Sequence, residues 1–308
     1  MSRKSRKSQT TQILYGHPIC EAIYASLLPR IEQLSRAGVT PGLAVLLFGE
    51  DSPSKVYGKM LGRGCRRIGI AFRLVELPGD LSAPQACAVI DELNEDPGIH
   101  GILIKRPLPG ALQDERILQR TRPEKDVDGY HFQNVGSLVV GGPSTAPVPC
   151  TPAGVIELLT RSGYPLSGRH VVVLGRSATV GKPLANLLCQ KDRSANATVT
   201  LCHSATRDPR SHTLRADIIV TAVGSPGSLT REMVSPGAVV VDVGTNVVPD
   251  SSSPRGYRLT GDADFDGLLS HCRAITPVPG GVGPVTVAML MKNVVDAAEN
   301  YEPLQQPP

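Results

Sequence analysis

His170-Val171-Val172-Val173-Leu174-Gly175-Arg176-Ser177-Ala178-Thr179-Val180-Gly181-Lys182-Pro183 is the stretch from which the fold can be read. Val171 to Leu174 is a continuous apolar run too short for a helix. It reads as a strand buried on both faces, as in a parallel sheet. Gly175 ends the run. Pro183 then opens an apolar-periodic segment carrying Leu184, Leu187 and Leu188, and proline is well placed in a first helical turn. The order is therefore strand, glycine-bearing turn, helix. In a doubly wound sheet such a turn is where a dinucleotide phosphate meets a helix N-terminus. The motif is not G-x-G-x-x-G, because its glycines are Gly175 and Gly181. Nor is it a Walker A loop. The spacing to Gly181 is one residue too long, and Pro183 stands where a hydroxyl would hold magnesium.

Working outward, Ala197 to Leu201 forms a second strand ending in Cys202-His203-Ser204. An NAD site often places an acidic residue near that point for the ribose 2′-hydroxyl. Here Arg176, Ser204 and Arg207 are available instead, a set suited to a 2′-phosphate, so the chemistry favours NADP over NAD. Ile218 to Val223 and Val239 to Val243 are further strands, ending at Gly224 and Gly244. Three strands that each end in glycine suggest backbone making room for a ligand along one sheet edge.

The chain has 308 residues, which suggests two domains. Hydrophobic residues make up 41%, enough for ordinary cores, and with no Trp and four Phe those cores are aliphatic. The net charge of +4 is mild and gives no footprint for nucleic acid. One basic cluster free of acids, Arg3, Lys4, Arg6 and Lys7, reads as a disordered tail rather than a signal peptide. No apolar stretch reaches transmembrane length. The cysteines number seven with no C-x-x-C pair, which points to reduced thiols in a cytoplasmic compartment and away from a zinc or other metal site.

The first 140 residues alternate. Residues 17–37 read as a helix that Pro29 should kink or divide. Leu43 to Phe48, Ile70 to Leu77 and Gly101 to Ile104 read as strands. Tyr57 to Ile68 and Ala86 to Leu93 read as helices, the former despite Gly58, Gly62 and Gly64. These are βα units around a parallel sheet. Gly136 to Pro149 looks like a linker, residues 249–256 like a mobile loop, and a last helix begins near Pro284. The expected fold class is α/β, with two α/β domains, the second Rossmann-like. The expected boundaries are 1–147 for a catalytic domain, with the helix 284–300 packing back on it, and 148–283 for a nucleotide-binding domain.

Five segments together resemble the methylenetetrahydrofolate dehydrogenase/cyclohydrolase family. They are Pro123-Glu124-Lys125-Asp126-Val127-Asp128-Gly129-Tyr130-His131, Pro149-Cys150-Thr151-Pro152-Ala153-Gly154, Gly175-Arg176-Ser177 with Val180-Gly181-Lys182-Pro183, Cys202-His203-Ser204, and Thr276-Pro277-Val278-Pro279-Gly280-Gly281-Val282-Gly283-Pro284. The resemblance covers residues 13–300. It implies an interdomain cleft between the two α/β domains with a tetrahydrofolate derivative in it, NADP on the second domain and a homodimer. It implies two reactions: hydride transfer from 5,10-methylenetetrahydrofolate to NADP, and hydrolysis of the methenyl cation to 10-formyltetrahydrofolate. By matching position, Tyr57 would stack on the folate and Asp128 would hydrogen-bond the pterin. Gly175, Arg176, Ser177, Ser204, Val223, Gly224 and Thr245 would bind the cofactor. Pro279, Gly280 and Gly281 would bring backbone to the substrate.

Two positions depart from the family. It carries a lysine one helical turn after the tyrosine, where this chain has Leu61; Lys59 points elsewhere and Arg63 matches a position outside the chemistry. It carries a glutamine, partner of that lysine, where this chain has Lys105. A lysine has left one position and appeared at its partner's, which makes Lys105 a candidate acid–base group. Three readings follow: a dehydrogenase with cyclohydrolase intact or weakened, a catalytically inactive folate- or nucleotide-binding relative, and an enzyme acting on another pterin or imine.

Overall fold

A computed structural model describes residues 10–49, 52–112, 115–142, 145–254 and 256–301. The basic cluster Arg3 to Lys7 and Arg255 of the expected loop lie outside them. In chain order the elements are β1 (Gln12–Ile13), α1 (Gly16–Arg36), β2 (Gly42–Phe48), α2 (Ser52–Ile68), β3 (Ala71–Leu77), α3 (Ala83–Glu95) and β4 (Gly101–Ile104). Then come α4 (Glu115–Leu118), α5 (Phe132–Val140), α6 (Cys150–Arg161), β5 (His170–Leu174), α7 (Gly181–Leu188), β6 (Thr198–Cys202), α8 (Pro209–Thr213), β7 (Ile218–Thr221) and β8 (Val239–Asp242). The chain continues through β9 (Asn246–Pro249), β10 (Tyr257–Thr260), α9 (Phe265–Leu268), β11 (Ala274–Ile275) and α10 (Val282–Glu299). It divides into two compact units. One is Glu21–Cys150 with the chain from Val287 on; the other is the chain through Cys20 with Thr151–Thr286.

The first unit is built on a parallel sheet of order β3-β2-β4. β2 is buried along its whole length, as a central strand covered on both faces must be. Ala44, Leu46 and Phe48 pack with Ala86, Ile90 and Leu93 of α3. On α2 the glycines are seats for the sheet. A Cβ at Gly58 would stand 2.9 Å from Leu74, and one at Gly62 2.8 Å from Phe72. The low helix propensity of these residues is thus offset by the close approach they permit.

The second unit carries a parallel sheet of order β1-β11-β8-β7-β5-β6. β5 lies inside it, with Val171, Val172 and Val173 wholly buried. Val172, Ile219, Val240 and Ile275 carry one core across four neighbouring strands. Parallel pairing needs long crossovers, and α7 and α8 supply two of them.

Several local expectations change. The segment read as a linker begins inside α5, a helix started by the His131 side chain accepting from the Gln133 N–H and ended by Gly141 at φ 70°. The expected loop falls between β9 and β10, which pair antiparallel from Tyr257↔Pro249 to Thr260↔Asn246. α1 is not divided at Pro29; buried Ile23, Leu27 and Ile31 hold its face across the missing N–H. Pro183, the third residue of α7, does lie in the first helical turn.

Candidate active site

In the first unit the site is assembled at the carboxyl end of the parallel strands. Lys105 directly follows β4, its N–H donating to the Leu46 carbonyl at 3.0 Å. Its Nζ donates to the Arg106 carbonyl at 2.6 Å and stands 5.4 Å from the centroid of the Tyr57 ring. Tyr57 is half-buried on α2, and burial together with the charge of Asp128 pushes its phenol well above the usual range. Leu61, one turn further along α2, is fully buried.

The segment bearing Asp128 is pinned on either side. Lys125 is 1% exposed, and its ammonium donates to the Leu93 and Asp96 carbonyls at 3.3 and 2.9 Å, capping α3. Desolvation and Arg122 lower its pKa to about 8. The buried Asp126 carboxylate accepts from the His131 N–H at 2.6 Å and from Asn134 at 3.0 Å. Asn293 of α10 donates to the Val127 and Val148 carbonyls at 2.9 and 2.8 Å. Asp128 itself keeps a side-chain exposure of 32%. Its dense surround and the neighbouring Asp126 push its carboxyl up to about 6, against the pull of Arg106 and Lys105. The Arg106 guanidinium lies 3.9 Å from the Asp128 carboxylate and 3.7 Å from the centroid of the Tyr130 ring. Arg106, Asp126, Asp128 and Tyr130 line one small pocket with Ile102, Ile104, Leu118 and Thr121.

In the second unit Gly175 has φ 113°, and a Cβ there would fall 2.2 Å from the Ala222 carbonyl oxygen. A Cβ at Gly181 would fall 2.0 Å from the Gly175 carbonyl oxygen. Only glycine permits this turn to lie so flat. Ser177 accepts through Oγ from the Val180 and Gly181 N–H groups at 3.1 and 3.3 Å, tying the turn to the start of α7. The register pairs Leu174 with Cys202. Arg176 and Ser204, each two residues beyond a paired position, therefore leave neighbouring strand ends, and both are exposed.

The ends of β7 and β8 meet a buried carboxylate that the sequence did not disclose. Asp262, 0% exposed, accepts from the N–H groups of Val223, Gly224 and Ser225 at 2.7, 3.0 and 2.9 Å and from Asn246 at 2.9 Å. Its own N–H donates to the Asp242 carboxylate at 3.0 Å, which also accepts from Ala263 at 2.8 Å and Gly244 at 2.9 Å. Burial pushes the Asp242 carboxyl up to about 6. Thr245 is exposed beside this cluster in sequence. The Asp242 N–H in turn donates to Thr276 Oγ1 at 2.7 Å, where the proline–glycine loop begins. In that loop Val278–Pro279 is cis and Gly280 has φ 106°. A Cβ on Gly281 would stand 2.6 Å from the Pro277 carbonyl oxygen. The Gly280 carbonyl accepts from the Gly16 N–H at 2.8 Å.

Arg106, Asn293, Asp242 and Asp262 escaped the sequence reading. Only Arg106 had a visible signal, as a cation inside Lys105-Arg106-Pro107-Leu108-Pro109. Among the described residues no group of three or more His, Cys, Asp or Glu could hold a metal ion, and no helix is long and apolar enough to cross a membrane. None of the seven cysteines is in a disulfide.

A wholly parallel sheet with a flat glycine turn at the mouth of an interior strand, β5, defines an α/β dinucleotide-binding protein. Residues 14–128 match the catalytic domain model of tetrahydrofolate dehydrogenase/cyclohydrolase, and residues 149–302 match its NAD(P)-binding domain model. The bifunctional protein FolD 1 of Myxococcus xanthus is 48% identical over 289 residues, covering 94% of this chain and 98% of that protein. The bifunctional protein FolD of Prosthecochloris aestuarii is 44% identical over 92% of this chain and 97% of its own length. Among solved structures, the methylenetetrahydrofolate dehydrogenase-cyclohydrolase of Trypanosoma brucei, complexed with NADP cofactor and inhibitor, superposes with a TM-score of 0.88 at 37% identity, covering 94% of this chain and 98% of that one. The chain belongs to the tetrahydrofolate dehydrogenase/cyclohydrolase family.

Proposed function

We propose that this chain is an NADP-dependent 5,10-methylenetetrahydrofolate dehydrogenase, forming 5,10-methenyltetrahydrofolate, in which hydrolysis to 10-formyltetrahydrofolate is weakened. The dehydrogenase reading rests on family membership over both units, together with the retained Tyr57, Asp128 and Gly175–Gly181 turn. The division of labour is a folate-binding first unit and a nucleotide-binding second one. The flat glycine turn suits the dinucleotide's phosphates, and exposed Arg176 and Ser204 suit a 2′-phosphate. When bound, NADP accepts the hydride.

The chain's own residues bind and orient. Tyr57 offers its ring face to the folate, and its raised pKa keeps it an uncharged phenol. Asp128 accepts from the paired N–H donors of the pterin edge, which needs the ionised form, and Arg106 favours that form. Pro279, Gly280 and Gly281 bring backbone without side-chain bulk. Positioning of this kind carries hydride transfer. Water attack on the methenyl carbon also requires a proton to move, and a placed acid–base group contributes about 10²–10⁴-fold. Leu61 cannot transfer a proton, and the candidate is Lys105, whose Nζ lies over Tyr57. A lysine cation there would oppose the methenyl cation, so the neutral amine is the working form. Cytoplasmic location and a homodimer are parts of the same proposal, as is a partner list without nucleic acid.

Leu61 gives a second reading, a relative that binds folate and nucleotide without turnover. Assays of NADPH formation from methylenetetrahydrofolate and of methenyl hydrolysis on purified protein decide between them. Dehydrogenase activity with slow hydrolysis supports the proposal. Thermal stabilisation by both ligands without turnover supports the second reading, and normal hydrolysis without dehydrogenase activity overturns the argument from Leu61.

A further inference from the structure

A buried carboxylate that collects several backbone donors from one loop fixes that loop and decides what it can offer a ligand. At the end of β7 the N–H groups of three consecutive residues, Val223, Gly224 and Ser225, point back at Asp262. Loops that hold phosphate do the reverse, turning successive N–H groups outward to the anion. With its donors turned inward and a carboxylate beneath it, what this loop has left to offer is the carbonyl oxygens of Val223 and Gly224 and the Val223 side chain, which is 43% exposed; the Ser225 carbonyl accepts from the Ser228 N–H at 3.3 Å. Those groups match ribose hydroxyls, a base edge or a carboxamide, all neutral and carrying donors. They do not match a phosphate.

Asp262 is itself held. Its N–H is bound by the Asp242 carboxylate, and Asp242 is bound through its own N–H to Thr276 Oγ1. The glycines of this cluster leave no slack. A Cβ on Gly244 would fall 2.3 Å from the Asp262 carboxylate, and one on Gly261 would fall 1.9 Å from Oδ2 of Asp242. The Val223–Ser225 loop and the start of the Thr276 loop thus hang on one chain of hydrogen bonds inside a single unit.

We infer that Asp262 is a positioning residue for the nucleotide, setting the Val223–Ser225 loop against a neutral, donor-bearing part of the dinucleotide rather than its phosphates. The inference rests on the NADP reading above. It reaches the cofactor only through the loop, so Asp262 is not a catalytic residue.

The test is NADP binding by calorimetry at several salt concentrations for the full chain, Asp262→Asn and Gly224→Ala, with melting temperatures alongside. Asp262→Asn keeps the volume but turns donors toward donors. Loss of hydrogen bonds to a charged acceptor predicts a Kd for NADP raised about tenfold or more, with the slope of log Kd on log salt unchanged. The KM for methylenetetrahydrofolate at saturating NADP should stay put, a separation that general unfolding would not give. Gly224→Ala leaves the carboxylate intact and strains only the loop, whose φ there is 73°; it should weaken NADP several-fold and serves if Asp262→Asn fails to fold. If the loop faced phosphate, removing the Asp262 charge would tighten NADP binding and alter the salt slope, and that result overturns the inference. Unchanged NADP affinity in the folded variants also overturns it. Failure of the unaltered protein to bind NADP at all overturns the NADP reading and this inference with it.

Discussion

The Nζ of Lys105 stands 5.4 Å from the centre of the Tyr57 ring, held by a 2.6 Å hydrogen bond to the Arg106 carbonyl. The family's lysine would project from Leu61, on the helix that carries Tyr57. Here the ammonium arrives from the end of β4 instead. If Lys105 supplies the acid–base group, Lys105→Gln alone should abolish residual hydrolysis while leaving most of the hydride transfer. Leu61→Lys alone should lose stability, because Leu61 is 0% exposed and a second cation would face Lys105. The double change removes that repulsion and should restore hydrolysis. Unchanged rates in Lys105→Gln would refute the role.

If Asp128 holds the pterin as proposed, it sets a pH limit on folate binding. Its carboxyl titrates near 6 rather than 3.8. As pH falls through about 6 the carboxylate gains a proton and loses acceptor capacity, so the KM for methylenetetrahydrofolate should rise. The charged and titratable groups around it are Asp126, Arg106, Lys105, Cys150, Tyr57 and Tyr130. Asp126 raises its pKa, and Arg106 lowers it. Arg106→Leu should therefore move the acid limb to higher pH. The sign for stability is the opposite of an ion-paired aspartate. The folded state holds this proton more tightly than the unfolded chain, so ionisation costs stability above pH 6, and the cost fades toward pH 4. Asp128→Asn should raise the melting temperature at pH 7.5 while weakening folate. A KM flat from pH 5 to 8 would remove Asp128 from the pterin.

Cofactor choice should follow Arg176. Arg176→Ala removes a charged donor from the proposed 2′-phosphate site and should weaken NADP by about 1–3 kcal/mol, with NAD nearly unaffected. Equal losses for both would place Arg176 at the shared pyrophosphate instead.

The elements around β5 were legible because a parallel strand buried on both faces has little choice but a continuous apolar run, and Val171–Leu174 is one. The same holds for Leu43–Phe48 and Gly101–Ile104. β1 was not legible, since two residues carry no period, and its pairing with Ala274–Ile275 lies over 260 positions away. α5 hid because Gly136 lowers its propensity and the Gly141-Gly142 pair that ends it reads as loop, although its start is fixed by His131. In the site, Tyr57 and Asp128 stood out by position in a motif. Asp242 fell inside the apolar run Val239–Val243 and Asp262 next to Gly261, with no motif to single out either. What sets them apart is the convergence of backbone donors from distant loops, and nothing in local sequence records that.

The last prediction concerns Asn293. It sits on α10, 5% exposed, and its amide satisfies the buried Val127 carbonyl and the part-buried Val148 carbonyl, just before Asp128 and just before Cys150. It also approaches Cys150 Sγ at 3.5 Å. Asn293→Leu keeps the volume and removes the donors. Each stranded acceptor costs about 1–3 kcal/mol, so urea unfolding should show a loss of about 2 kcal/mol or more. Because Val127 precedes Asp128, the loosened segment should also raise the KM for folate, with NADP affinity unchanged. A stability loss with an unaltered folate KM would make Asn293 a brace for the core alone, and the orientation of Asp128 would then rest on Asp126, Asn134 and Gly129.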